Sequence, residues 1–145
     1  MKKVLVALLA LVLCLSLFAG CSSSMKDGSY KAEFSSFDDH GWKDFVELTI
    51  KDGKITEVNF DSINEEGLLK SEDESYQENM EPVSGTYPGK FFPELENQLL
   101  EKQEIKKVDT VTGATNSSDA FKILVTEIMD KGASKGNTDT IIVER

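Results

Sequence analysis

A run of small and hydroxyl-bearing residues near the carboxyl end of the chain has the composition best suited to chemistry. Residues 109–118 read DTVTGATNSS and stand directly before a stretch with helical periodicity. Small residues such as Gly113 and Ala114 let a ligand approach the backbone closely. The start of a helix presents free N–H groups and the positive end of the helix dipole, which together favour a phosphate. The segment therefore predicts an anion site at a helix N-terminus, where Asn116 and Ser117 would also bind the ligand.

The hydroxyl side chains of this segment allow a second interpretation. They belong to Thr112, Thr115, Ser117 and Ser118. A hydroxyl at the N-cap of a helix satisfies a free backbone N–H group without any ligand. The pattern predicts such a cap at Asn116 or Ser117. From residue types alone, helix capping explains the hydroxyls as well as an anion site does.

The same segment resembles the flavinylation motif of the FMN-binding domain family, Asp-x-x-(Ser/Thr)-Gly-Ala-Thr. The motif is complete here and comprises Asp109, Thr112, Gly113, Ala114 and Thr115. The family includes subunits of the sodium-pumping NADH:quinone oxidoreductases and of the Rnf complexes, and small extracellular lipoproteins. The resemblance implies that flavin mononucleotide (FMN) is joined to Thr115 by a phosphoester bond. It also implies that Asp109 and Thr112 belong to the transferase recognition site and the phosphate surroundings.

Partners follow from the same resemblance. A dedicated flavin transferase, with FAD as donor and Mg²⁺ as its own cofactor, would attach the FMN. Because the Thr115 hydroxyl alone is a weak nucleophile, a separate enzyme for the transfer is chemically reasonable. The bound flavin would supply the redox chemistry, so we expect an electron carrier without substrate turnover of its own. A membrane electron donor such as a quinone-linked dehydrogenase would reduce it.

The resemblance extends over most of the chain, and it is weakest over residues 61–105. Its N-terminal half includes residues 27–30, 41–42, 46–50 and 52–55, which read DGSY, GW, VELTI and DGKI. Among the aromatic residues, Trp42 is the one that we expect against the flavin ring. Three others are expected in the core or at its rim, namely Tyr30, Phe34 and Phe37.

The beginning of the chain has the pattern of a secretory signal. Lys2 and Lys3 precede an apolar run over residues 4–18, and Ala19-Gly20-Cys21 follows. The run is shorter than the roughly 20 residues of a membrane span, and a basic start with small residues before a cleavage point is typical of signal peptides. Residues 17–21 resemble a bacterial lipobox, which implies that Cys21 is diacylated, for example with palmitate, and becomes the first mature residue. The alternative is an ordinary signal peptide with a chance cysteine.

These patterns predict three parts of the chain. Residues 1–20 are a lipoprotein signal peptide, residues 21–26 a lipidated tether and residues 27–145 the FMN-binding domain. The tether reaches only about 20 Å when fully extended. We therefore expect an extracytoplasmic domain that the lipid anchors at the cell membrane.

Charge and cysteine content exclude several other classes of protein. The chain of 145 residues has a net charge of −10, and removal of residues 1–20, whose only charges are two lysines, leaves −12. Such acidity disfavours binding to nucleic acid and to anionic lipid headgroups. The acyl chains on Cys21 must therefore attach the protein to the membrane. Cys14 lies inside the signal, which leaves no pair for a disulfide. His40, the single histidine, is expected to be a solvated residue and neither a metal ligand nor a catalytic base.

Hydrophobic periodicity predicts an α+β domain, a small curled antiparallel sheet with helices packed on one face. We expect strands over residues 27–34, 42–50, 55–60 and 138–143, with residues 107–111 also β-like. Asp52-Gly53 predicts a tight hairpin turn between the second and third strands. Helices are expected over residues 71–80, where Pro82 would end the first, over 91–102, and from 116 or 117 to 132.

A different class of function fits the same patterns. The protein would then be a surface lipoprotein that binds FMN or another small ligand non-covalently, without a redox role. A third hypothesis is a sensory extracellular domain. A colourless protein from a host that has the transferase would favour these alternatives over a covalent flavin carrier.

Overall fold

The computed structural model describes residues 25–145. This part of the chain contains four strands and three α-helices in the following order: β1 (Gly28–Phe34), β2 (Lys43–Lys51), β3 (Lys54–Ile63), α1 (Glu74–Ser84), α2 (Pro88–Lys102), α3 (Thr115–Glu127) and β4 (Ile141–Val143). Short 3-10 turns occupy Lys70–Glu72 and Ile105–Lys107, and a π-helical segment, Ile128–Ala133, extends α3. The predicted signal peptide and Cys21 lie outside the described residues.

The strands form one mixed sheet in the order β3-β2-β1-β4. β1, β2 and β3 are antiparallel neighbours, as expected, whereas β4 runs parallel to β1. The parallel pairing arises because β4 returns to the sheet after a helix rather than after a hairpin turn. Asp52 and Gly53 both have positive φ, which matches the predicted tight turn between β2 and β3. The α+β fold class is thus confirmed.

The core lies between one face of the sheet and the helices α2 and α3. Phe60 of β3 contacts Phe92 of α2 and Phe121 of α3, with ring centroids 4.6 and 4.9 Å apart. All three rings are at most 1% exposed. The opposite face of the sheet is polar, and there Lys31 pairs with Glu47. The helices therefore cover one face only, as the periodicity predicted.

Three predicted boundaries differ in the structure. α1 continues through Pro82 to Ser84, and Gly85 after it takes the left-handed conformation common after a helix. Residues 107–111 form no strand, because the chain leaves a 3-10 turn there and runs as an irregular loop into α3. The third helix begins at Thr115, before the predicted start.

β3 is an edge strand of the sheet. Its outer backbone groups form hydrogen bonds with side chains from α2 and from Gln103, the residue that follows α2. Gln103 accepts a hydrogen bond from the Ile55 N–H and donates one to the Ile55 carbonyl, both at 2.9 Å. Glu96 Oε1 accepts the Phe60 N–H at 2.7 Å. These contacts block the pairing of another strand with this edge.

Glu96 allows a prediction on the pH dependence of stability. Burial raises the pKa of the Glu96 carboxyl above its ordinary value, although the Phe60 N–H favours the ionised form. A carboxyl with a raised pKa in the folded state contributes stability at low pH that is lost as the pH rises through that pKa. We expect Glu96→Gln, which keeps an acceptor for Phe60, to remove this loss.

The measurement is the free energy of unfolding in urea at several pH values between about 4 and 7. Glu94→Gln is the matched control, because Glu94 is exposed on the same helix. The stability of Glu96→Gln should decline less than that of the wild type as the pH rises. Parallel pH profiles for the wild type and both variants would contradict the prediction.

Candidate functional site

The helix α3 begins without a side-chain cap. Ala114 occupies the N-cap position and Thr115 is the first helical residue. The prediction of a cap at Asn116 or Ser117 is therefore wrong, since both residues lie inside the first turn. Within residues 25–145, the backbone N–H groups of Thr115, Asn116 and Ser117 have no hydrogen-bond partner. Such free donors at a helix N-terminus favour an anionic group.

The loop before α3 is held in place from within the core. The fully buried Ser118 hydroxyl donates to the Ala114 carbonyl at 2.8 Å and accepts the Val111 N–H at 3.0 Å. Val111 and Ala114 are themselves buried. Ser118 thus stabilises the loop and is not available to a ligand, unlike Thr115 and Asn116, which are exposed.

Gly113 is required at its position for two reasons. Its φ is +83°, a conformation that residues with a side chain rarely adopt. A Cβ atom there would also lie 2.4 Å from the carbonyl oxygen of Ser84, at the end of α1. The glycine therefore permits a close backbone contact between the loop and α1.

A cleft of about 690 Å³ opens beside Thr115, and we call it the Thr115 cleft. This volume lies within the roughly 300–1,000 Å³ of sites for small ligands and cofactors. Gly113, Ala114, Asn116 and Ser117 also line it. Apolar side chains form part of its wall, namely Phe34, Met80, Ala120 and Ile123. The combination of free amides, an exposed hydroxyl and apolar walls fits a phosphate ester with an aromatic ring system.

A second cleft of about 840 Å³ lies beside the first, and we call it the Trp42 cleft. His40, Tyr76 and Met80 line both clefts. Trp42 lines only the second, is 5% exposed and meets the Tyr76 ring edge-on at a centroid distance of 6.0 Å. The structure thus places Tyr76 and Met80, rather than Trp42, next to the Thr115 cleft.

Asp109 and Thr112, the other two motif residues, are exposed and do not line the Thr115 cleft. The Asp109 carboxylate accepts a hydrogen bond of 2.7 Å from Lys102. This hydrogen bond and the positive charge of Lys102 hold the pKa of the Asp109 carboxyl below its ordinary value. Both side chains are therefore presented to the outside of the protein, Asp109 in its ionised form at neutral pH.

The other aromatic residues named from the sequence, and His40, lie in different parts of the structure. Tyr30 is buried and donates to the Lys26 carbonyl, whereas Phe37 is exposed on the surface. Phe34 is buried beneath Arg145 and contributes to the Thr115 cleft. His40 is exposed, and residues 25–145 contain no group of three or more side chains placed to hold a metal ion.

Charged residues that sequence analysis missed also face the Thr115 cleft. Arg145 donates to the buried Asp44 carboxylate at 2.8 Å, and Ser62 donates to the other oxygen at 2.5 Å. These pairs join distant parts of the chain, so no local pattern indicates them. Asp119 also lines the cleft. It could have been found from its spacing of four residues from Thr115, which places both on one face of the helix.

Comparisons with known proteins identify the family of this chain and similar proteins from two bacteria. A family model described as the FMN-binding domain matches residues 41–130. The 15 kDa lipoprotein of Treponema pallidum (strain Nichols) is 43% identical over 132 residues, which cover 90% of this chain and 93% of that protein. The crystal structure of a Clostridium perfringens protein superposes with a TM-score of 0.80 at 41% identity, covering 83% of this chain and 98% of that one. Within the described part of this chain, none of the helices is both long and apolar enough to cross a membrane.

The contact at Gly113 generates a prediction. Gly113→Ala combines an unfavourable φ, which costs about 1–2 kcal/mol, with the clash against Ser84. Gly67→Ala is the matched control, because Gly67 has a similar φ of +86° and open space around it. Urea unfolding should show a larger loss of stability for Gly113→Ala than for Gly67→Ala. Equal losses would mean that the close contact contributes nothing beyond the backbone conformation.

Proposed function

Because the chain belongs to the FMN-binding domain family, we propose that it carries FMN covalently on Thr115 and transfers electrons at the outer surface of the cell membrane. The observation that carries this proposal is the exposed Thr115 hydroxyl at an uncapped helix N-terminus, which opens on a cleft of about 690 Å³. It is a carrier in this proposal and not an enzyme with its own substrate.

The first turn of α3 is suited to hold the phosphate of the flavin. An ester at Thr115 places a phosphate at the first helical residue, close to the free N–H groups of Asn116 and Ser117. The positive end of the helix dipole adds to the attraction, typically by 0.3–1 kcal/mol for an exposed anion. The tether would thus fix the cofactor where the backbone already favours it.

Apolar side chains along the Thr115 cleft would hold the ring system. Ala120 and Ile123 follow Thr115 on α3, and Ile123 lies about 12 Å further along the helix axis. Phe34 and Met80 contribute from β1 and α1. When bound, FMN supplies the redox chemistry, while these residues orient its ring and exclude water.

The exposed part of the motif suits recognition by another enzyme. Asp109 and Thr112 lie outside the cleft, on the surface of the loop that leads to Thr115. A flavin transferase that transfers FMN from FAD could contact both residues while the Thr115 hydroxyl remains accessible. The ionised Asp109, held by Lys102, would be one of its recognition points.

Attachment to the membrane completes the proposal. The name of the Treponema relative supports a lipid anchor, and the resemblance of residues 17–21 to a lipobox supports Cys21 as its position, at the start of the tether over residues 21–26. The protein would face the outside of the membrane and receive electrons from a membrane donor such as a quinone-linked dehydrogenase. Residues 1–20 would be removed as the signal peptide.

The mass of the protein tests the covalent bond. We expect the chain without residues 1–21, co-expressed with a flavin transferase, to gain the mass of one esterified FMN. Thr115→Ala should abolish the gain completely, because the acceptor hydroxyl is lost. Thr110→Ala is the control, since Thr110 is an exposed threonine of the same loop outside the motif positions.

The possible results separate the two classes of function. Covalent flavin on Thr115→Ala would overturn the assignment of the acceptor. An unmodified wild-type mass, together with binding of added free FMN, would favour the non-covalent lipoprotein. Loss of the modification in Thr110→Ala as well would mean that the loop, rather than the Thr115 hydroxyl, decides the result.

A further inference from the structure

Lys70 is a largely buried residue that lines the Thr115 cleft. It begins the 3-10 turn Lys70–Glu72 and is only 7% exposed. Its ammonium lies 4.5 Å from the centroid of the Tyr76 ring and 5.5 Å from that of Trp42. The residue lines the Thr115 cleft, so the ammonium is held between two aromatic rings at the cleft wall.

The surroundings of Lys70 differ from those of other cations in the structure. Arg145 pairs with Asp44, and Lys43 pairs with Glu33. Within residues 25–145, no carboxylate lies within 4.0 Å of the Lys70 ammonium. The residue as a whole is buried, but its ammonium is not among the polar side-chain atoms sealed from solvent, and the two aromatic faces attract its charge. A positive charge at the wall of the cleft, without a carboxylate partner, attracts a ligand that carries or acquires negative charge.

We propose that Lys70 contacts the flavin ring and stabilises the negative charge that the ring acquires on reduction. This inference rests on the proposed function. An oxidised ring that takes up two electrons from an external donor and one proton from water gains one negative charge. An ammonium in a partly desolvated place attracts this charge more strongly than it attracts the neutral oxidised ring. Lys70 therefore raises the reduction potential of the bound flavin.

The other charged groups of the cleft oppose this effect. Carboxylates of Asp38, Asp39 and Asp119 face the cleft, and Asp44 is paired with Arg145. His40 also lines it and is exposed. Among the described residues that line the cleft, Lys70 thus has a fixed positive charge without a carboxylate partner. Without Lys70, the acidic groups would determine how far the site shifts the reduction potential of the flavin.

The test is the midpoint potential of the flavin in the full chain, purified in detergent after co-expression with a transferase and titrated with dithionite at pH 7. Lys70→Met should lower the potential, with at least a tenfold smaller ratio of reduced to oxidised flavin at a fixed potential. For a two-electron couple, this tenfold change corresponds to about 30 mV. Lys70→Arg should retain most of the wild-type potential, because it keeps the charge.

Lys54→Met is the matched control, since Lys54 is an exposed lysine that begins β3 at the far end of the β2–β3 hairpin. About ten residues of strand separate it from the cleft, roughly 30 Å, so its charge is screened by salt. Lys70→Gln provides a second neutral variant in case Lys70→Met folds poorly. The comparison of Lys70→Gln with Lys70→Arg then decides the question.

Intact mass separates the two proposals. An unmodified wild-type chain would overturn the proposed function itself. Flavinylated Lys70→Met or Lys70→Gln with a potential equal to that of Lys54→Met would overturn only the role of Lys70. A lowered potential in Lys70→Arg as large as that in the neutral variants would also overturn it, because the charge would then not be the cause.

Discussion

The structure of the site depends on one close contact between two backbone segments. Gly113 packs against the Ser84 carbonyl at a distance that no side chain would allow. This contact, together with the buried Ser118 hydroxyl, fixes the loop that leads into α3. Because the loop is held from inside, the first turn of α3 needs no side-chain cap, and its N–H groups stay free. A side-chain cap fixes the start of a helix but occupies its N–H groups. Here Ser118 and Gly113 hold the loop instead, so the N–H groups of the first turn remain available to a ligand.

The same contact bears on α1. None of the residues of this helix is fully buried, so apolar packing holds it weakly against the rest of the domain. Its last residue, Ser84, meets Gly113, and its first turn is capped by Asp73, which accepts the Tyr76 N–H. Tyr76 and Met80 nevertheless form walls of both clefts. The contacts at the two ends of α1 therefore position the cleft walls more than packing along the helix does.

The sequence predicted those features that arise from local patterns. The Asp52-Gly53 turn, the alternation along β1 and β2 and the helical face of α3 each depend on neighbouring residues, and the structure contains them. The parallel pairing of β4 was missed because it is a contact between the two ends of the chain. Arg145 and Asp44 pair across 101 positions, and Lys70 meets Trp42 only in the folded domain. The predicted cap is wrong because the sequence does not show which polar side chains of this segment face the core, as the Ser118 hydroxyl does.

The direction of β1 relates the cleft to the start of the domain. The chain enters at Lys26, whose N–H bonds to Ala133 after α3, and β1 ends at Phe34 in the wall of the Thr115 cleft. Seven strand residues separate these two points by roughly 20 Å. An anchor upstream of Lys26 and a cofactor on Thr115 would thus lie at opposite poles of the domain. Rotation of the domain about such an anchor would change the distance between the cofactor and the bilayer. One molecule could then contact partners both beside the bilayer and further from it.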